Sequence, residues 1–124
     1  MNITLITIQY GSTDLLERLL ESLAQHPDRH LLSEIIVVNN GDTLARSTRL
    51  ELTSMVESVD IRVVDNDAES YAGGVNRGAR EAHGDTLLIA NNDIEWPSDA
   101  SIEPLLEVIQ AESVGIVGPQ LIYP

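Results

Sequence analysis

Runs of β-branched and aliphatic residues alternate with helix-period segments along the whole chain, and this alternation limits the fold more tightly than any other feature. "ITLITIQ" (3–9), "EIIVVNN" (34–40), "DIRVVDN" (60–66) and "DTLLIA" (85–90) each read as a buried strand, and "VGIVGP" (114–119) reads as a fifth. Between them lie four segments with helical spacing. "STDLLERLLESLAQH" (12–26) carries a stripe of Leu15, Leu16, Leu19, Leu20 and Leu23, with Ser12 or Thr13 as cap. Residues 43–58 turn Leu44, Thr48, Leu52, Met55 and Val56 inward. "YAGGVNRGAREAHG" (71–84) offers a small buried face of Ala72, Val75, Ala79 and Ala82, closed by Gly84 as a C-terminal cap. "SIEPLLEVIQAE" (101–112) places Pro104 in its first turn, where the missing N–H is tolerated.

Repeated strand–helix alternation predicts one α/β domain over residues 1–124, a Rossmann-like, mostly parallel sheet with helices on both faces. In such sheets the crossovers are right-handed and ligands bind beyond the carboxyl ends of the strands. The polar clusters collect there. The strands end at Gln9-Tyr10-Gly11, Asn39-Asn40-Gly41-Asp42, Asp65-Asn66-Asp67 and Asn91-Asn92-Asp93. All four clusters are expected on one rim.

Composition removes several kinds of ligand. The net charge is −13, from 20 acidic residues and seven arginines with no lysine, which disfavours nucleic acid as a partner. Such a surface suits a salt-rich cytoplasm, and biased codon use explains it equally well. There is no cysteine, so disulfides and thiolate metal sites are excluded. No apolar run approaches the roughly 20 residues of a membrane span, and no basic leader precedes the first apolar run. A cytoplasmic location, with peripheral membrane attachment as a variant, is the expectation.

Familiar occupants of the rim can be tested by their chemistry. A dinucleotide site wants G-x-G-x-x-G after the first strand, and only Gly11 is there. A P-loop or a phosphoacceptor receiver domain needs a lysine. A metal–diphosphate site fits better, because Mg²⁺ or Mn²⁺ binds through one or two carboxylates plus substrate phosphates. Asp93 can supply the carboxylate and Asn91 a neutral oxygen, their alternate spacing placing both on one side of an extended chain. Asn39 and Asn40 can hydrogen-bond a base or ribose, and Gly73 and Gly74 open a helix whose N-terminus favours anions. The structural alternative is that Asn91 and Asn92 merely cap a turn before Pro97.

With these motifs in place, the chain resembles the N-terminal, nucleotide-binding half of the family 2 inverting glycosyltransferases of GT-A fold, and among them the rhamnosyltransferase-like members. "ITLITIQYGSTDLLERLLESL" is similar to the family's first strand, Tyr-Asn step and leucine-rich helix. "EIIVVNNGD" resembles its Val-Asp-Asn-x-Ser segment, and "SYAGGVNRGAREAHGDTLLIANND" its glycine–asparagine helix and D-x-D strand end. "VGIVGPQLIYP" resembles the Gly-x-x-Gly-Pro strand that follows. The resemblance implies binding of a nucleotide-diphosphate sugar, dTDP-rhamnose or a UDP-sugar, and inverting transfer to a glycan or lipid-linked acceptor with a Mn or Mg ion. It places the general base and acceptor pocket beyond Pro124, so this segment alone is expected to be inactive.

By the same resemblance Asn39 stands for the acid that reads the base, while Asn91 and Asp93 stand for the outer positions of D-x-D. Two of these acids are amides here, and Gly11 replaces a frequent asparagine. Gln9, Tyr10, Asp65, Gly73, Gly74 and Asn92 complete the expected nucleotide-sugar contacts, and Asp93 with Asn91 the metal contacts. Arg77 is a candidate for steering phosphate or a solvated charge. Trp96 is a candidate stacking residue or a cover for the core edge. His26, His30 and His83 read as surface, and Glu95 as solvated. Two other readings remain: a non-catalytic nucleotide-binding module, and a nucleotidyltransferase, although "YGSTDLLER" has little of the basic loop the latter needs.

Overall fold

The structure is a computed structural model and describes residues 1–67 and 70–122. Four strands, β1 (Ile3–Gln9), β2 (Glu34–Asn39), β3 (Asp60–Asp65) and β4 (Thr86–Ile89), form one sheet in the order β3-β2-β1-β4. Every pairing is parallel, as the alternation of elements predicts. Between and after them come α1 (Asp14–Ala24), α2 (Arg46–Thr53), α3 (Tyr71–Glu81) and α4 (Glu103–Ile109). A 3-10 turn over Pro27–Leu31 leads into β2.

The two faces of the sheet are covered differently. On one, Ile3, Leu5, Ile35, Val37 and Ile61 pack against Leu16, Leu19, Leu20 and Leu23 of α1, with Leu52, Val56, Trp96 and Ile102 around them. Each apolar side chain buried there contributes about 1.5–3 kcal/mol, so the leucine stripe is a main stabiliser. Leu15 departs from the expected stripe: it is 46 % exposed, because the buried face is the narrower 16-19-20-23 set. The opposite face is thin. Ile6, Ile36 and Val38 meet α3, whose contact surface is Gly74 and Gly78 with Ala79 and Ala82 at its edge. A Cβ on Gly78 would lie 2.6 Å from Ile6 Cγ2, so glycine lets this helix lie almost on the sheet. Ala72, expected inward, is exposed because it lies one turn too early.

Several expectations need correction. Residues 114–119 form no strand: Ile116 is 92 % exposed, and Leu121 and Ile122 are exposed as well. An apolar run becomes a strand only beside a partner, and the sheet ends at β4 among the described residues. Gly84 does not cap α3, which ends in the extended residue Ala82. It is small because it touches β1, where a Cβ would meet Thr4 Oγ1 at 2.6 Å. Thr13 makes no side-chain cap on α1; Ser12 Oγ instead accepts the Asp14 N–H at 3.3 Å. His26 is buried, not on the surface, and its Nδ1 accepts the Asp28 N–H.

Candidate functional site

The strand ends form a level row. Gln9 pairs in register with Asn39, and Asn39 with Asp65. Strand β4 runs out earlier, with Ile89 level with Ile6, so Asn91, Asn92 and Asp93 pass over the end of β1. Gln9 and Asn39 are buried, which is unusual for amides and demands partners. Asn39 finds them all within the protein. Its Nδ2 donates to Asp42 O at 2.9 Å and Asp65 Oδ1 at 3.3 Å, and its Oδ1 accepts from Gly41 N at 3.3 Å. Asp65 is gripped by Arg49, whose Nη2 lies 2.6 Å from both carboxylate oxygens. Arg49 first, and the Asn39 amide after it, hold the Asp65 carboxyl below its ordinary pKa against the opposing effect of burial.

Beside this row lies a cavity of about 300 Å³. Ile8 forms its floor; Tyr10, Asn40, Tyr71, Asn91, Asn92 and Asp93 form the walls. The fold therefore brings together Tyr10, Asn91, Asn92 and Asp93 as the sequence suggested. It leaves Asn39 and Asp65 in the adjoining polar row rather than in the cavity lining. Tyr10 and Tyr71 present large exposed rings, and Tyr71 Oη donates to Asn91 Oδ1 at 2.9 Å. Asp93 is exposed and makes no hydrogen bond or ion pair among the described residues. Asn40 ties the wall to α3 by donating to Ser70 O at 3.1 Å and accepting from Asn66 Nδ2 at 2.8 Å. The Gly73 and Gly74 N–H groups both go to Ser70, its Oγ and its carbonyl oxygen respectively, so the helix caps itself there.

Among the described residues no three His, Asp or Glu side chains converge as a metal cage. The lining still suits a divalent cation that arrives with a phosphate ligand, because one carboxylate and neighbouring amide oxygens leave positions for phosphate and water. The remaining candidates fall outside. Arg77 Nε is held 3.0 Å from Glu81 Oε1 on the surface of α3. Trp96 is buried and donates to Asp28 Oδ2 at 2.9 Å, so it covers the core edge. His30, His83 and Glu95 are exposed. Sequence reasoning missed Tyr71, Ser70 and Arg49. A serine just before a helix opening is a readable cap signal, but nothing local couples Arg49 to Asp65 across 16 residues.

The most perturbed carboxylate sits at the other end of the sheet. Glu34, the first residue of β2, would be raised by burial. The His83 N–H, the Thr4 hydroxyl, the His83 ring and Arg62 together outweigh that and lower it from 4.5 to about 2. Asp28 follows the same pattern: burial raises it, while bonds from Trp96, the Ile102 N–H and Ser101 bring it below its ordinary value. A second cavity of about 530 Å³ opens near Asp28, between the 3-10 turn and residues 98–103. Both features lie at the amino ends of the strands, away from the rim, and both carboxylates serve packing.

Comparison with known proteins settles the kind of domain this is. The family model for Glycosyl transferase family 2 matches residues 4–124. The chain belongs to glycosyl transferase family 2. It is 33 % identical over 115 residues to the O-antigen biosynthesis protein RfbC of Myxococcus xanthus, covering 90 % of this chain and 8 % of that one. It is 32 % identical over 94 residues to the uncharacterized protein y4gI of Sinorhizobium fredii, covering 73 % and 10 %. Crystal structures of S. aureus TarS superpose with TM-scores of 0.66 and 0.68 at 16 % and 19 % identity. They cover 94 % and 97 % of this chain, which spans 23 % and 39 % of theirs. This glycosyltransferase domain thus has the Rossmann-like GT-A half-domain fold and spans a tenth or less of the curated relatives it matches.

Proposed function

We propose that this domain holds the nucleoside-diphosphate part of an activated sugar, as the donor-binding half of an inverting glycosyltransferase. The carrying observation is the rim cavity that gathers Tyr10, Asn91, Asn92 and Asp93 beyond the strand ends of a family 2 domain. Tyr10 and Tyr71 offer flat faces to a base or ribose, and the asparagines offer neutral donors and acceptors. Asn39 acts one step back in this reading, holding Asp42 and Asp65 in place.

Charge supports a cation in the reaction. Among the described residues the only charged side chain lining the cavity is Asp93, and the domain carries −13 overall, so a diphosphate would meet repulsion there. Asp93, with an amide oxygen from a neighbouring asparagine, would hold Mn²⁺ or Mg²⁺, which neutralises the diphosphate and stabilises it as a leaving group. Deprotonation of the acceptor hydroxyl falls to a general base outside this cavity. dTDP-rhamnose or a UDP-sugar as donor, and a glycan or lipid-linked acceptor, fit the motifs of the chain. A relative named for O-antigen biosynthesis supports a cell-surface polysaccharide as product. Among the described residues no helix is long and apolar enough to cross a membrane, and this reading includes peripheral attachment where such acceptors lie.

A thermal-shift panel of UDP-, GDP- and dTDP-sugars with and without Mn²⁺ tests the proposal. A ligand at 100 times its Kd stabilises by about 2.7 kcal/mol. A Mn²⁺-dependent shift with at least one sugar nucleotide is expected, and no shift with any of them rejects the reading.

A further inference from the structure

The amide of Gln9 is buried under the rim, and its orientation is forced. Its Nε2 donates to two peptide carbonyls, Gly11 O at 3.0 Å and Ser12 O at 2.9 Å. A peptide carbonyl only accepts, so this end of the amide must be nitrogen. The other end, Oε1, can only accept, and what it meets is Asn92. Asn92 must therefore turn Nδ2 toward it, at 3.1 Å. That leaves Oδ1, which has no partner among the described residues, as the free end of a side chain lining the cavity. Asn91 is not constrained in this way. Its partner is the Tyr71 hydroxyl, which both donates and accepts, so Asn91 can present either end.

We propose that Gln9 is a positioning residue that locks the Asn92 carbonyl oxygen outward, so that Asn92 and Asp93, rather than Asn91 and Asp93, receive the divalent cation. The inference rests on the nucleotide-sugar reading above. An Asn92 flipped by half a turn would point an NH₂ group at a cation beside Asp93 and repel it. The fixed polarity runs as a relay from the backbone of residues 11 and 12, through two amides, to the ligand.

Binding of Mn²⁺, followed by electron paramagnetic resonance alone and with UDP, GDP and dTDP in turn, tests it. Asn92→Ala is expected to weaken Mn²⁺ binding at saturating nucleotide roughly tenfold, the usual scale for lost support of a metal site, and Asn91→Ala to weaken it clearly less. Gln9→Met should match Asn92→Ala. The double variant Gln9→Met/Asn92→Asp should bind as tightly as Asn92→Asp alone, because a carboxylate presents oxygen in either orientation; a purely structural Gln9 leaves the double variant weaker than that single variant. If Asn91→Ala carries the loss and Asn92→Ala binds normally, the assignment is overturned. It is also overturned if the double variant melts as a folded protein yet binds more weakly than Asn92→Asp. Should Gln9→Met fail to fold, the two alanine variants decide alone. Wild-type protein that takes up Mn²⁺ with none of the three nucleotides removes the nucleotide-sugar reading itself, and this inference with it.

Discussion

Asp93 and Asn39 lie near the same rim and answer opposite questions. Asp93 has no partner to lose among the described residues, so Asp93→Asn should leave the melting temperature of the free protein equal or higher. One anion leaves an acidic rim, and only the Mn²⁺-dependent response to nucleotide disappears. Melting curves with and without Mn²⁺ and sugar nucleotide separate this from a structural role, which predicts lower intrinsic stability and an unchanged response. Asn39→Ala should behave the other way. It strands the Gly41 N–H and the Asp42 carbonyl and removes a neighbour of Asp65, costing about 1–3 kcal/mol in urea unfolding. Glu34 gives the molecule an acid limit. Its folded value is lowered from 4.5 to about 2, so the stability it contributes is complete above about pH 4.5. It is lost as pH falls from there toward about 2, on the order of 3 kcal/mol in all. Glu34→Gln should be less stable at pH 7 and show a flatter acid limb in a pH series of unfolding curves.

At the level of elements, α3 depends on two glycines four residues apart. Gly78→Ala would gain up to about 1 kcal/mol of helix propensity but places a Cβ 2.6 Å from Ile6 Cγ2 and 3.1 Å from Val38 Cγ2. Both neighbours are buried strand residues, so overpacking of about 1–3 kcal/mol should dominate. A lower urea midpoint is expected, and an unchanged or raised midpoint would mean that the helix can lift off the sheet at little cost. The four strands and four helices were legible in sequence because each has its own periodicity, and β1 carries the expected boundaries. The run 114–119 misled because apolar composition reports the wish to be buried, not the presence of a partner. At the rim, the side chains that leave strand ends and line the cavity could be read from the parallel-sheet rule. The hold of Gln9 on Asn92 and the Arg49 grip on Asp65 could not, since each depends on groups brought together by tertiary packing.

Across the whole molecule, charge is one-sided. With −13 on 124 residues, self-repulsion works against the compact state, and added salt screens it. The melting temperature should rise between low and molar KCl, and a flat or falling curve would favour biased codon use as the origin of the composition. The order of strands has a different consequence, for how the chain meets itself during synthesis. β1 lies inside the sheet, yet its neighbour on one side is β4, and Asn2 bonds to Asp85, 83 residues further on. At about 5–20 residues per second a ribosome takes roughly 4 to 17 s to cover that gap. Throughout it β1 has only β2 and then β3 for company, with one apolar edge open to any passing strand. β4, the last strand to emerge among the described residues, covers that edge and, within the next four residues, delivers Asn91, Asn92 and Asp93 to the end of β1, so a nascent chain acquires its ligand rim only as its vulnerable edge is sealed.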